Sequence, residues 1–386
     1  MTPSARIAAA IEILDSIIEG LAAEQALTRW GRQHRFAGSK DRTAIRDHVF
    51  DVLRQRETVE ILGGGTQGRA MMHGLLRAQS LDPADYFTGE GYAPAPLLET
   101  EMDECPADAR SEDHWNLPAW ILPEFQRSLG AEALECAQSL RKRAPINVRV
   151  NLNKVTLENA INVLAEEGIK AVANSLSPAA LTVVEGARRL RGSDCYENGL
   201  FDFQDATSQA VVDALPKAAK CLDYCAGGGG KSLAMAAQPD RVVYAHDIDP
   251  KRMKDIGPRA ARSGVDVTEC ATDALTSHAP FDLVLCDAPC SGSGAWRRAP
   301  AGKWTLTQDR LDQLCAIQDE ILNKAAEFVS SGGTLVYVTC SVLKCENEAR
   351  VAAFLAKNTN WRCSFQRRFA VTQEGDGFFA THLTHQ

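Results

Sequence analysis

The chain has no uninterrupted apolar run near the roughly 18–20 residues that a membrane-spanning helix needs, and Met1-Thr2-Pro3-Ser4-Ala5-Arg6 lacks the layout of a signal peptide. A cytoplasmic protein with no membrane partner is expected. No Cys-x-x-Cys pair occurs among the 12 cysteines, and the closest spacings, Cys221 to Cys225 and Cys286 to Cys290, have no histidine partner nearby, so no metal is expected. Cys221, Cys286 and Cys340 sit in or at the ends of apolar strand-like runs, which suits free thiols. Repeats and low-complexity tracts are absent. What is present, 386 residues that are 45% apolar and 24% charged, excludes a disordered or fibrous class and provides for two or three domains. The net charge of −8 argues against indiscriminate coating of nucleic acid and leaves room for a local basic surface.

Ile7, Ile11, Leu14 and Ile18 recur at helical spacing, as do Ile45, Val49 and Leu53, which predicts an all-helical domain over residues 1–82. Gly38-Ser39-Lys40-Asp41-Arg42 reads as a turn opening a helix that carries Arg46, Arg54 and Arg56, either as a solvated basic face or as contacts to an RNA backbone. Over residues 83–117 the composition shifts to Pro, Gly and acid, as in Tyr92-Ala93-Pro94-Ala95-Pro96 and Glu99-Thr100-Glu101-Met102-Asp103-Glu104, and a linker without packed elements is expected.

Residues 118–205 read as a small α+β module. A helix near Pro118 is followed by basic Arg141-Lys142-Arg143, an alternating strand from Ile146 to Asn151 with Arg149 on its polar face, a helix from Leu157 to Gly168 and a strand near Leu181-Thr182-Val183-Val184. Such a module suits a sheet that tracks a nucleic-acid strand. Over residues 206–386, strand-like runs at Cys221–Tyr224, Arg241–Ala245, Val265–Cys270, Phe281–Cys286 and Thr334–Val338 alternate with helical patterns such as Thr307 to Val329, and a hairpin is expected around Gly375-Asp376-Gly377-Phe378-Phe379. The alternation predicts an α/β fold, a mostly parallel sheet with helices on both faces.

The first of these strands runs into Asp223-Tyr224-Cys225-Ala226-Gly227-Gly228-Gly229-Gly230-Lys231-Ser232, a glycine turn that lets backbone approach a nucleotide-like cofactor. A triphosphate loop would need glycine where Cys225 stands, and the dinucleotide pattern counted from Gly227 puts Ser232 at its third glycine. The next strand ends in His246-Asp247-Ile248-Asp249-Pro250, where Asp247 suits both hydroxyls of a ribose, and the third precedes Thr272-Asp273-Ala274, where Asp273 suits an adenine amino group. One strand-end aspartate alone is as readily a helix cap; three in succession favour a nucleoside.

The fourth strand delivers Asp287-Ala288-Pro289-Cys290-Ser291 and the fifth Val338-Thr339-Cys340-Ser341, so two thiols reach one sheet edge. A single strand-end cysteine is more often a small buried apolar residue. Paired thiols beside a carboxylate fit methylation of cytosine at carbon-5: that carbon is too poor a nucleophile until a thiolate adds to carbon-6, and a second group must then assist loss of the carbon-5 hydrogen and release of the thiol. Cys290 is placed for the second task, and Asp287 for a hydrogen bond to the ring nitrogen and exocyclic amine. In amine methyltransferases an aromatic residue commonly stands where this chain has Cys290, which points away from amine chemistry.

At these residues the chain resembles the RsmB/Sun (Fmu) branch of the NOL1/NOP2/Sun family of RNA 5-methylcytosine methyltransferases. The family's Cys-Ala-Ala-Pro-Gly-Gly-Lys aligns with Cys225 to Lys231, its Asp-Ala-Pro-Cys-Ser is intact at Asp287 to Ser291, and its Thr-Cys-Ser is Thr339 to Ser341. The resemblance implies a Rossmann-like methyltransferase domain, with Cys340 as covalent nucleophile, Cys290 assisting release, and Lys231 and Asp287 as polar groups of the active site. It implies S-adenosyl-L-methionine as cofactor, held by Cys225, Ala226, Gly227, Gly228, Gly229, Gly230, Lys231, Asp247, Asp273 and Asp287. The helical start resembles a NusB-like RNA-binding domain, which implies small-subunit ribosomal RNA rather than tRNA as substrate. A monomer is expected as the working form. Gln204-Asp205-Ala206-Thr207-Ser208-Gln209 resembles the family's entry helix, and Trp296-Arg297-Arg298-Ala299-Pro300 its loop near the RNA. Gly227-Gly228 departs from the family's Ala-Pro, loosening the turn without removing its backbone donors. The rival readings are a non-catalytic RNA-binding or ribosome-assembly factor with a vestigial methyltransferase domain, and a triphosphatase using Lys231.

Overall fold

The computed structural model describes residues 1–102 and 114–385; Asp103 and Glu104 of the acidic run lie outside them. By their contacts the described residues group into two units, one of Met1–Leu122, Ala131–Arg143 and Trp296–Thr305, the other of Pro123–Gly130, Ala144–Ala295 and Leu306–Gln386.

The first unit opens with the helices α1 (Pro3–Ile18), α2 (Ala23–Gln33), α3 (Ser39–Arg54), α4 (Arg56–Gly63) and α5 (Gly68–Ala78), and the helices Ala133–Arg141 and Ala301–Thr305 join it from later in the chain. Thr2 caps α1 through its hydroxyl, which accepts from the Ala5 amide, and Pro3 stands in the first turn, where a missing N–H costs nothing. Ile7, Leu14, Ile45, Val49 and Leu53 are buried, whereas Ile18 is exposed at the helix end. Helices α4 and α5 meet through glycines: a Cβ at Gly74 would lie 1.9 Å from the Val59 carbonyl oxygen. The chain after Asp82 departs from the expected loose linker. It makes two short 3-10 turns, Pro83–Asp85 and Glu99–Glu101, buries Phe87 in the helical core, and ties Glu101 to Arg69 at 2.8 Å.

The three arginines that the helix pattern offered as a basic face are otherwise engaged. Arg46 pairs with Glu24 at 2.7 Å and Arg56 with Glu60 at 2.6 Å, while Arg54 is buried and donates to the Arg297 carbonyl at 2.8 Å and to Asp51 at 2.7 Å. The last carbonyls of a helix lack partners inside it. Those of α3 are met from a distant stretch of chain: Lys303 Nζ donates to the Arg54 carbonyl and Trp304 Nε1 to that of Leu53, each at 2.7 Å. Trp296 and Arg297, expected in a loop facing RNA, are thus buried in the helical unit, and only Arg298 and Ala299 of that stretch are exposed.

The second unit holds two sheets. The smaller, of order β2-β3-β1-β4, is antiparallel and consists of β1 (Ile146–Val150), β2 (Lys170–Ala173), β3 (Ala180–Glu185) and β4 (Phe201–Phe203). The helix Leu157–Glu166 contributes Ala160 and Leu164 to the core shared with Val148, Val150 and Leu181. Arg149, expected on a polar face, is buried and donates to Gln204 Oε1 at 2.8 Å, because both faces of β1 are covered. The larger sheet, of order β10-β11-β9-β8-β5-β6-β7, comprises β5 (Lys220–Asp223), β6 (Val242–Ala245), β7 (Val267–Glu269), β8 (Phe281–Asp287), β9 (Val329–Thr339), β10 (Trp361–Phe369) and β11 (Phe378–His385).

Strands β5 to β9 are parallel, and β11 runs antiparallel to β9 and β10, which is the expected terminal hairpin. From β5 the chain proceeds outward to β6 and β7, then crosses to β8 and β9 on the other side. That reversal opens a crevice at the carboxyl ends of β5 and β8, where ligands of such sheets bind.

Lys303 supplies a test of the helical unit. Burial pushes its ammonium down to about 7, with the Arg141 and Arg54 charges adding to the effect. Between that pH and the ordinary lysine range the unfolded chain binds more protons than the folded one, so this group makes stability rise with pH. The gain in unfolding midpoint from pH 7 to pH 9.5, followed by circular dichroism, is expected to shrink in Lys303→Met.

Candidate active site

β8 and β9 pair in parallel with Asp287 opposite Val338, so the residues after them leave the sheet side by side. The Ala288 amide donates to the Val338 carbonyl at 2.9 Å and the Gly294 amide to the Cys340 carbonyl at 3.0 Å. The sulfur atoms of Cys290 and Cys340 consequently lie 3.5 Å apart, both partly accessible. The hydrogen bond with Cys340, together with burial, pushes the Cys290 thiol well above its ordinary range, so Cys290 keeps its proton.

Lys231, near the start of the helix Gly230–Ala236, is buried and bonds to Asp287 Oδ2 at 2.7 Å. Burial alone would lower its basicity, but the Asp287 carboxylate outweighs burial, with smaller contributions from Asp223 and Cys340, and the ammonium is held above its ordinary value. Its Nζ also lies 5.2 Å from the centre of the Phe378 ring. Lys231, Asp287, Cys290 and Cys340 therefore form one chemical centre of a fixed cation, a carboxylate and a thiol pair.

The glycine turn lies on the same edge. Gly227 and Gly229 take φ of +51° and +77°, and a Cβ at Gly229 would come within 2.7 Å of Ile256. Asp247, buried at the end of β6, accepts from the Gly227 amide at 2.9 Å and the Asp249 amide at 3.0 Å. A carboxylate fastened to a turn free of side chains fits a nucleoside with a vicinal diol: the hydroxyls donate to the acid while backbone amides approach the ligand. Cys225 and Ala226 stand in this turn, with the Ala226 amide bonded to the His246 carbonyl at 2.8 Å; burial and the neighbouring carboxylates push the Cys225 thiol up, away from thiolate chemistry. Asp273 is exposed after β7 and makes no hydrogen bond or ion pair among the described residues.

Four features were not read from the sequence. Arg252 lies against Asp247 at 3.1 Å, beside the glycine turn. Asp223 at the end of β5 is fully buried, accepts from Ser232 Oγ at 2.6 Å, and has its carboxyl lifted by burial to about 7. Glu346 is fully buried beneath both thiol loops, where its carboxylate accepts from the Ser291 amide at 2.7 Å, the hydroxyls of Ser291 and Ser341 at 2.5 Å each, and Gln318 Nε2 at 3.1 Å. Asn347 completes the set, bonding Thr339 Oγ1 at 2.5 Å and the Ser341 carbonyl at 2.9 Å. The available signal was the two Cys-Ser pairs followed by the acid and amide of Cys345-Glu346-Asn347.

Comparison with known proteins identifies the family. The model of the family described as 16S rRNA methyltransferase RsmB/F matches residues 211–384, and that of its ferredoxin-like domain matches residues 117–188. The ribosomal RNA small subunit methyltransferase B of Citrobacter koseri is 31% identical over 291 residues, spanning 71% of this chain and 68% of that protein. Its namesake from Escherichia coli is 30% identical over 303 residues, 74% of this chain and 70% of the relative. The crystal structure of PH0851 shares the fold over 99% of both chains at a TM-score of 0.76 and 24% identity, and that of NSun6 from Pyrococcus horikoshii covers 69% of this chain and 98% of its own at 0.60 and 19%. The chain belongs to the RsmB/F family of 16S rRNA methyltransferases. It is an RNA methyltransferase, with S-adenosyl-L-methionine as its methyl donor.

Glu346 offers a direct test of how the thiol loops are held. Glu346→Ala leaves several buried donors without an acceptor, a cost on the order of 3 kcal/mol. Denaturant unfolding is expected to show that loss, with methyl transfer falling in step, whereas Glu346→Gln, which keeps one acceptor oxygen, loses less of both.

Proposed function

We propose that this enzyme methylates carbon-5 of a cytosine in small-subunit ribosomal RNA through a covalent adduct on Cys340. The observation that carries the proposal is the Cys290–Cys340 sulfur contact of 3.5 Å beside the Lys231–Asp287 pair. The curated relatives, named for the small-subunit ribosomal RNA, support the substrate.

Cys340, as thiolate, adds to carbon-6 of the ring and pushes an electron pair toward carbon-5. The Lys231 ammonium offsets the negative charge that then spreads over the ring, and Asp287 accepts a hydrogen bond from the exocyclic amine, fixing the base in place. S-adenosyl-L-methionine, when bound, supplies an electrophilic methyl group. After carbon-5 is methylated, its hydrogen passes as a proton to solvent water, and the electron pair of that C–H bond expels Cys340 as a thiolate. Cys290 serves this last step: its S–H, kept protonated by the hydrogen bond to its neighbour, donates to the departing thiolate and steadies it as a leaving group. Asp247 would take the ribose hydroxyls of the donor, Asp273 its adenine amino group, and the amides around Gly228 to Gly230 its polar edges. The cytosine must leave its stack to reach both thiols, which favours a loop or an unfolded stretch of RNA. NusB-like RNA binding by the helical unit and a monomeric working form belong to this same reading.

Cys340→Ala is expected to abolish methylation, and Cys290→Ala to accumulate a protein–RNA adduct visible by denaturing electrophoresis and mass spectrometry. Full activity of Cys340→Ala with no adduct from Cys290→Ala would refute the assignment. Asp247→Ala is expected to weaken S-adenosylmethionine binding by about tenfold or more in calorimetry, the cost of one charge-assisted hydrogen bond.

A further inference from the structure

We infer that the corner between α2 and α3 is a second RNA-binding surface, one that grips an unpaired strand away from the methylated base. From Arg29 to Lys40 the sequence carries four cations, Arg29, Arg32, Arg35 and Lys40, and no carboxylate, within a chain of net charge −8. All four are exposed, and none makes an ion pair or hydrogen bond among the described residues. This sets them apart from Arg46, Arg54 and Arg56, each of which is bonded to a carboxylate. The acids nearest to them are already engaged: Glu24 holds Arg46, Glu12 accepts from Trp30 Nε1 at 2.9 Å, and Asp41 binds Arg6 and the N-terminal amine. Glu24 lines the same grooves as Arg32, but its carboxylate is held by Arg46, so the four cations have no ion-pair partner among the described residues.

An aromatic tier stands among the cations. Trp30, buried at the end of α2, stacks on His34 with ring centres 4.3 Å apart, and His34 meets Phe36 edge-on at 5.7 Å. Phe36 is 70% exposed, so a large apolar ring in contact with His34 is open to solvent in the stretch between Arg35 and Lys40. Arg32 stands between two open grooves of about 690 and 480 Å³, the first lined also by Trp30 and Arg42, the second also by Arg29. Free cations that can track phosphates beside an exposed ring that can stack a base are the two elements of single-strand recognition, and neither requires a particular sequence. An acidic protein segment would use the cations and leave the ring unexplained.

The inference deepens the reading that the substrate is RNA. Its test is fluorescence anisotropy with the full chain and a labelled, unstructured 16-nucleotide oligoribonucleotide, titrated from low to moderate salt. The Arg29→Gln/Arg32→Gln/Arg35→Gln variant is expected to bind roughly tenfold or more weakly at about 0.1 M salt, with the slope of log affinity against log salt reduced by about 2 for three lost phosphate contacts. Phe36→Ala is expected to weaken binding several-fold while leaving the slope unchanged. Unaltered far-ultraviolet circular dichroism and unfolding midpoints confirm that the helical unit of the variants is folded. Equal affinity and slope in wild type and triple variant overturn this surface while leaving RNA as substrate intact, whereas a wild type that binds no RNA at all overturns the substrate reading itself.

Discussion

The catalytic end of this fold depends on one buried carboxylate. β8 and β9 are parallel neighbours, so geometry alone brings their ends to one edge, but two irregular loops leaving a sheet have no ladder to keep them in register. Glu346 supplies what the ladder no longer does. It receives the backbone and hydroxyl of Ser291 from one loop and the hydroxyl of Ser341 from the other, so each residue that follows a thiol is tied to the same acid. A buried carboxyl group is tolerated only when its oxygens are paired, and here most of that pairing comes from the two loops that must stay together. The sulfur contact is the outcome of that arrangement.

Charge is distributed over the site with a division of labour. Lys231 and Asp287 satisfy one another, whereas Asp247 is fastened to the glycine turn and Asp223 is fully buried against Ser232. Three carboxyl groups at one sheet edge would repel one another in a low dielectric if all were ionised and unpaired. The structure resolves this by giving Asp287 a lysine and Asp247 backbone amides with Arg252, and by lifting the Asp223 carboxyl toward neutrality.

Much of this was legible in the residues. Alternating apolar runs located the five parallel strands, and motif spacing placed Cys290, Cys340, Asp287 and Asp247 after strand ends and Lys231 at the close of the glycine turn, because such positions are local consequences of chain direction. What escaped was whatever depends on distant partners. Arg149 looked solvated because alternation in a strand says nothing about a second layer covering its other face. Arg54 looked like part of a basic face because its helix pattern is blind to the distant residues 297–304, although Asp51, one turn earlier, could have been read as its partner. The stretch after Asp82 looked loose on composition, yet Arg69 and the burial of Phe87 organise it. Glu346 was invisible for the same reason: its partners come from three separate parts of the chain.

The dependence of α3 on Lys303 and Trp304 has a consequence for biosynthesis. A ribosome delivers the chain from its amino end, and early domains ordinarily close before later ones emerge. Here the closing residues of the helical unit are encoded more than 240 positions after the helix they finish, so its final carbonyls stay with water until most of the polypeptide has been made. The amino-terminal part of this enzyme is thus among the last to be completed, and a break in translation between β7 and the segment Trp296–Thr305 would release helices that have everything except their seal.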